Sequence, residues 1–96
     1  MIQGFKDKAS SDIYHGHDTR EARKISKQLW KLIARKLDTL NGASVVQDLR
    51  IPSGNRLEKL TGRLSGKYSI RVNDQYRIVF SFKDGSANDV QVVDYH

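Results

Sequence analysis

Tyr68-Ser69-Ile70-Arg71-Val72-Asn73-Asp74-Gln75-Tyr76-Arg77-Ile78-Val79-Phe80-Ser81-Phe82 alternates in polarity on both sides of its centre. A period of two predicts a pair of strands joined by a short loop. With Asn73-Asp74-Gln75 as the loop, Val72 faces Tyr76, Arg71 faces Arg77 and Ile70 faces Ile78. The apolar side chains then share one face and both arginines the other. A two-residue loop would mix the faces, because a slip of one residue inverts every side chain. The three-residue loop therefore predicts a paired Arg71/Arg77 cluster on the exposed face.

Outward from this hairpin the alternation continues. Lys83-Asp84-Gly85 reads as a turn, and Val90 and Val92 alternate with Gln91 and Val93 in a last strand ending at Asp94-Tyr95-His96. Upstream, Arg56 to Leu60 reads as a strand closed by Gly62, after a Pro52-Ser53-Gly54-Asn55 loop. Ser44 to Leu49 fits a short helical turn. Before it the period becomes helical: Ala22, Ile25, Leu29, Ile33, Leu37 and Leu40 recur on one face. Asp18-Thr19-Arg20-Glu21 resembles a capping box with Asp18 as the N-cap, and Asn41-Gly42 is a stop. The expectation is one long helix from Asp18 to about Leu40. On that helix Arg20, Lys24, Lys27, Lys31 and Arg35 would form a cationic stripe opposite the apolar one. Residues 7–15 predict a short helix ended by Gly16, and Ile2 to Phe5 a first strand. The fold class is α+β: an N-terminal strand and two helices packed on a small, mainly antiparallel sheet.

The 96 residues suffice for a single domain, 1–96, with one core. The net charge of +6 favours a polyanionic partner. The absence of cysteine excludes disulfides, thiol nucleophiles and thiolate metal sites. No apolar run approaches a membrane span, so no membrane partner is expected and a cytoplasmic location is.

Facing arginines on a sheet repel unless an anion lies between them. Either an external phosphate or nearby acids such as Glu58 or Asp94 would supply it, and a guanidinium fork suits phosphate. His96, after Asp94 and Tyr95, has an imidazole suited to proton transfer near neutral pH. His15-Gly16-His17 reads as a polar turn rather than a metal pair. The cationic stripe reads as an RNA or ribosome contact that positions without reading sequence.

Three segments resemble the HigB toxins of the RelE/ParE superfamily: Asn55-Arg56-Leu57-Glu58-Lys59-Leu60-x-Gly62, the hairpin Tyr68 to Phe80, and Val93-Asp94-Tyr95-His96. Met1-Ile2-x-x-Phe5 fits as well. The resemblance implies a RelE-like fold and a ribosome-dependent mRNA endonuclease. Its cognate antitoxin would be a HigA-type helix-turn-helix protein, and the complex would bind operator DNA. It implies no cofactor and no metal. Arg77 matches the family's strand arginine, Arg71 a position that is often basic, and Asp94, Tyr95 and His96 the terminal triplet. Glu58 or His96 would transfer protons, with Tyr95 as a second candidate. Arg71 and Arg77 would stabilise the transition state, and Asp94 would orient His96 or an arginine. Arg56 and Lys59 would join the basic residues on RNA. Some members carry His at the position of Glu58 and Lys at that of Thr61. A Glu serves elsewhere in the superfamily, and Lys59, Arg56, Arg63 or Lys67 would compensate for the Lys. The alternative is a ParE-like inhibitor of DNA gyrase, with the same fold and no nuclease chemistry.

Overall fold

The computed structural model describes residues 1–95. Two α-helices, α1 (Lys8–His15) and α2 (Trp30–Gly42), precede four strands, β1 (Glu58–Lys59), β2 (Lys67–Arg71), β3 (Tyr76–Lys83) and β4 (Ser86–Asp94). The strands form one antiparallel sheet in the order β1-β2-β3-β4.

The central hairpin has the predicted register: Ile70 pairs with Ile78 and Arg71 with Arg77. Its loop is held by Asn73, whose Oδ1 accepts the backbone N–H of Gln75 (2.9 Å) and Tyr76 (2.8 Å). A short side chain bonding its own backbone two residues on is what favours Asn in such turns. The β3–β4 turn uses Asp84 (φ 52°) and Gly85 (φ 77°), the paired left-handed conformation that a tight hairpin requires. β4 carries an irregularity: Val79 pairs with Gln91 but Ser81 with Asn88, so β4 has one extra residue near Asp89 (φ 51°). That bulge brings Ala87 and Val90 to the core together although they are three apart; both are fully buried.

Core packing follows the predicted periods. Ile33, Leu37 and Leu40 of α2 are fully buried against Ile70, Ile78, Phe80 and Val90 of the sheet. α1 begins at Asp7, whose carboxylate accepts the Ser10 N–H, and ends at Gly16 in the left-handed conformation (φ 76°). The N-terminal strand is reduced to two isolated parallel bridges, Ile2 to Ala87 and Phe5 to Val90. They cover the outer edge of β4, with Ser10 Oγ accepting the Val92 N–H further along (2.9 Å).

The long helix from Asp18 is not formed. Two short 3₁₀ turns, Ala22–Lys24 and Lys27–Leu29, precede α2, separated by Ile25 in an extended conformation (φ −108°, ψ 134°). The cap is Thr19, not Asp18: Thr19 Oγ1 accepts the Ala22 N–H (3.1 Å) and donates to Asp12 Oδ2 (2.6 Å). Asp18 instead binds Arg23 and Lys27, each at 2.8 Å. Trp30 Nε1 donates to the Ile25 carbonyl (2.9 Å), satisfying an acceptor that a continuous helix would have used. The apolar positions Ala22 and Ile25 are still buried, so the hydrophobic pattern survived while the backbone did not. The cationic stripe is lost with the helix. Arg20, Lys24, Lys27, Lys31 and Arg35 are exposed, but they sit on three separate pieces of chain.

Candidate active site

The site is built on the sheet face opposite α2, at the end of β2 and β3. Arg77 pairs with Arg71 across the hairpin and with Val93 of β4. Contrary to the expectation of an exposed cluster, Arg77 is only 9 % exposed. The chain before β1 folds over it. Arg56 adopts a left-handed conformation (φ 45°, ψ 56°), which aims its carbonyl at Arg77 Nη2 (2.6 Å). Arg77 Nη1 donates to Glu58 Oε1 at 3.1 Å. The predicted strand Arg56 to Leu60 therefore shrinks to Glu58–Lys59, because Arg56 serves as a bracket instead.

Two buried polar atoms on this face have no hydrogen-bond partner among the described residues: Arg77 Nε and Ser69 Oγ. Unsatisfied buried groups are uncommon in native folds. Arg77 is thus held at its two terminal nitrogens, with a third donor left over. Nearby acids neutralise the arginines, one as expected and one not. Glu58 pairs with Arg77, but Asp74 rather than Asp94 pairs with Arg71.

The C-terminal stretch docks beside them. The Tyr95 N–H donates to the Gln75 carbonyl (2.6 Å), and the Arg77 guanidinium lies 5.3 Å from the Tyr95 ring centre. A guanidinium over an aromatic face is attracted by the ring quadrupole. Arg56, Arg71, Asn73, Asp74, Arg77 and Tyr95 line one hollow of about 200 Å³. Asp94 lies on the other side of β4 by strand alternation, opposite Tyr76, and its Oδ2 accepts from Gln75 Nε2 (3.1 Å). It anchors the hairpin loop. His96 lies outside the described residues.

The structure also sorts the remaining cations. Lys59 points away from the arginines, since it pairs with Tyr68 whereas Glu58 pairs with Ser69. Lys67, named as a possible substitute, is engaged with Asp89 at 3.5 Å. Arg56 alone of the four joins the hollow.

Sequence reading missed Lys36 and Asn55. Asn55 is fully buried; its Nδ2 donates to the carbonyls of Leu49 (3.2 Å) and Ile51 (3.4 Å), and its Oδ1 accepts from Lys36 Nζ of α2. This fastens the segment carrying Arg56 and Glu58 to the helix. Burial, followed by the charges of Arg35 and Arg71, holds the Lys36 ammonium below the ordinary lysine pKa. No periodicity marks Asn55, which reads as a loop residue. His15 Nδ1 is 2.7 Å from the Ser11 carbonyl oxygen, and His17 Nδ1 is 3.8 Å from Asp12 Oδ1.

Residues 3–96 match the family described as the RelE-like toxin of type II toxin-antitoxin system HigB. This chain belongs to the HigB family of type II toxins. The match agrees with a relative, Toxin HigB-1 of Vibrio cholerae, which is 46 % identical over 87 residues, covering 91 % of this chain and 90 % of that protein. An uncharacterized protein of Haemophilus influenzae is 37 % identical over 86 residues, covering 90 % and 83 % respectively. Among solved structures, a YoeB-YefM complex from Staphylococcus aureus has a similar fold. Its TM-score is 0.62 at 20 % identity, with 100 % of this chain and 98 % of that one covered. A YoeB dimer from the same organism gives 0.57 at 24 % identity, covering 99 % and 94 %. The architecture is that of the RelE superfamily, as the hairpin and terminal motifs implied. Among the described residues no helix is long and apolar enough to cross a membrane.

Proposed function

We propose that this HigB-family toxin is a ribosome-dependent mRNA endonuclease that stops translation in the cytoplasm. The observation that carries the reading is the convergence of Arg56, Arg71 and Arg77 with Tyr95 around one hollow. Such a site suits a phosphodiester: guanidinium forks match phosphate oxygens, and partial burial strengthens their field.

The nucleophile is the RNA's own 2′-hydroxyl, so the chemistry asks for no metal ion. A base, Glu58 or His96, removes the 2′ proton. The 2′ oxygen attacks phosphorus, and Arg71 and Arg77 stabilise the charge of the phosphorane. Tyr95 or His96 protonates the departing 5′ oxygen, leaving a 2′,3′-cyclic phosphate and a 5′-hydroxyl. Glu58 is half-exposed and already bonded to Arg77, so base and cation would meet the same phosphate. To bind, RNA displaces Asp74, which is fully exposed, from Arg71. Asp94 holds the loop through Gln75 and would orient His96. The exposed Arg20, Lys24, Lys27, Lys31 and Arg35 would contact ribosomal RNA as a diffuse basic surface. The partner that silences the toxin is a HigA-type helix-turn-helix antitoxin, and the complex binds operator DNA.

Primer extension on mRNA in a translating extract tests this, comparing wild type with Arg77→Ala and His96→Ala. Cleavage should fall by ~10²-fold or more in each, the usual loss for a catalytic donor or acid. Unchanged cleavage in both overturns the assignment. Intact mRNA together with inhibited DNA supercoiling would replace it with gyrase inhibition.

A further inference from the structure

A second hollow, of about 310 Å³, lies across β1 from the arginines, lined by Val46, Gln47, Arg50, Leu57, Lys59 and Tyr68. Adjacent residues of β1 project to opposite sides of the sheet, so Glu58 serves the arginine site and Lys59 this hollow. Its lining is mixed; the apolar part of the floor comes from the half-buried Val46 and Leu57 and from the half-buried Tyr68 ring, which stacks on Phe80 with centroids 6.2 Å apart. Further apolar surface flanks it, with Val45 52 % and Ile51 79 % exposed. Its cations are Arg50 and Lys59, and neither has an ion-pair partner among the described residues. The hollow also sits at the β1 edge of the sheet, whereas residues 2–5 close the β4 edge.

We propose that this hollow is where the antitoxin grips the toxin, an inference that rests on the antitoxin partnership proposed above. The occupant is an acidic peptide segment with one large apolar side chain. That side chain fills the floor, and its flanking carboxylates meet Arg50 and Lys59. Exposed apolar surface beside unpaired charge is the pattern of a protein-binding patch. RNA fits it less well: phosphates would satisfy the cations but leave Val46 and Leu57 wet. Because the grip is on the far side of β1, it leaves the arginine hollow uncovered.

Calorimetric titration of the cognate antitoxin into purified toxin tests the proposal. Two exposed positions are altered separately: Arg50→Glu reverses a rim charge, and Gln47→Trp fills the hollow. Each variant should raise the Kd at least tenfold, cleave RNA within threefold of wild type, and escape neutralisation. A Kd shift below tenfold in both folded variants overturns the surface. If cleavage falls instead, the hollow belongs to RNA. Failure of the wild-type toxin to bind the antitoxin at all would overturn both the surface and the partnership.

Discussion

Replacing Arg77 with Met removes the guanidinium while leaving an unbranched stem in the channel beneath Arg56. Stability and activity should then separate. The fold loses the bond to the Arg56 carbonyl, which from a charged donor contributes ~1.5–3 kcal/mol. It loses the pair with Glu58, whose side chain is 52 % exposed, so that pair is worth only ~0–1 kcal/mol. Against this, Met no longer buries the unpartnered Nε, relieving a penalty of ~1–3 kcal/mol. The net cost is about 1 kcal/mol, with an upper end near ~3 kcal/mol, or a melting temperature lower by ~4–24 °C for a domain of this size. A domain with even ~5 kcal/mol of stability would then remain about 97 % folded at that upper end. Unfolding therefore cannot account for more than a marginal loss of activity. Loss of the proposed transition-state donor should cost ~10²–10³-fold in cleavage. Thermal melts and primer extension on the same preparation measure the two effects. A folded Arg77→Met variant cleaving within threefold of wild type would refute the role assigned to the buried guanidinium.

Asn55→Ala should destabilise by ~2–4 kcal/mol, since it strips the buried Leu49 carbonyl, the Ile51 carbonyl and Lys36 of their partner; a melt checks this, and a shift under ~5 °C would count against the strut. Arg56→Gly should be near-neutral in stability, because relief of the left-handed strain of ~1–2 kcal/mol offsets the entropy of glycine. It should still weaken cleavage by removing one cation from the hollow. Trp30→Phe should cost about 1 kcal/mol through the lost bond to Ile25, and its melt should show a smaller drop than that of Asn55→Ala. Hydrogen bonds from Lys8, then Thr19, hold the Asp12 carboxyl below the ordinary carboxylate range. A depressed acid pKa means stability that is present above the unfolded value of about 3.9 and lost as pH falls through the folded value. Melting temperature followed from pH 6 downward should therefore decline more steeply for wild type below about pH 4 than for Asp12→Asn.

Much of the fold was written in local pattern. Strand alternation around Asn73 selected an odd-length loop, because a slip of one residue would have put Ile70 and Ile78 on opposite faces. Helical spacing found the buried Ala22, Ile25, Ile33, Leu37 and Leu40, with Leu29 half-buried beside them. It could not see that Trp30 would bond the Ile25 carbonyl and break the helix, since a side chain closing on backbone five residues away leaves no periodic trace. The site divides the same way. Arg71, Arg77 and Tyr95 were legible from the hairpin and the terminal motif. The bracket of Arg56, the Asn55–Lys36 strut and the separation of Lys59 from Glu58 were not.

The sequence by itself determined which side chains share a face, because that depends only on the pitch of a strand or helix. It therefore determined the fold class and the pairing of Arg71 with Arg77. Tertiary structure decided how those arginines are used. It buried one beneath a left-handed turn from a loop about twenty residues away and laid the Tyr95 ring against it. It also turned two neighbours on β1 to opposite sides of the sheet. Those outcomes depend on where the chain crosses itself, and short-range periodicity carries no record of that.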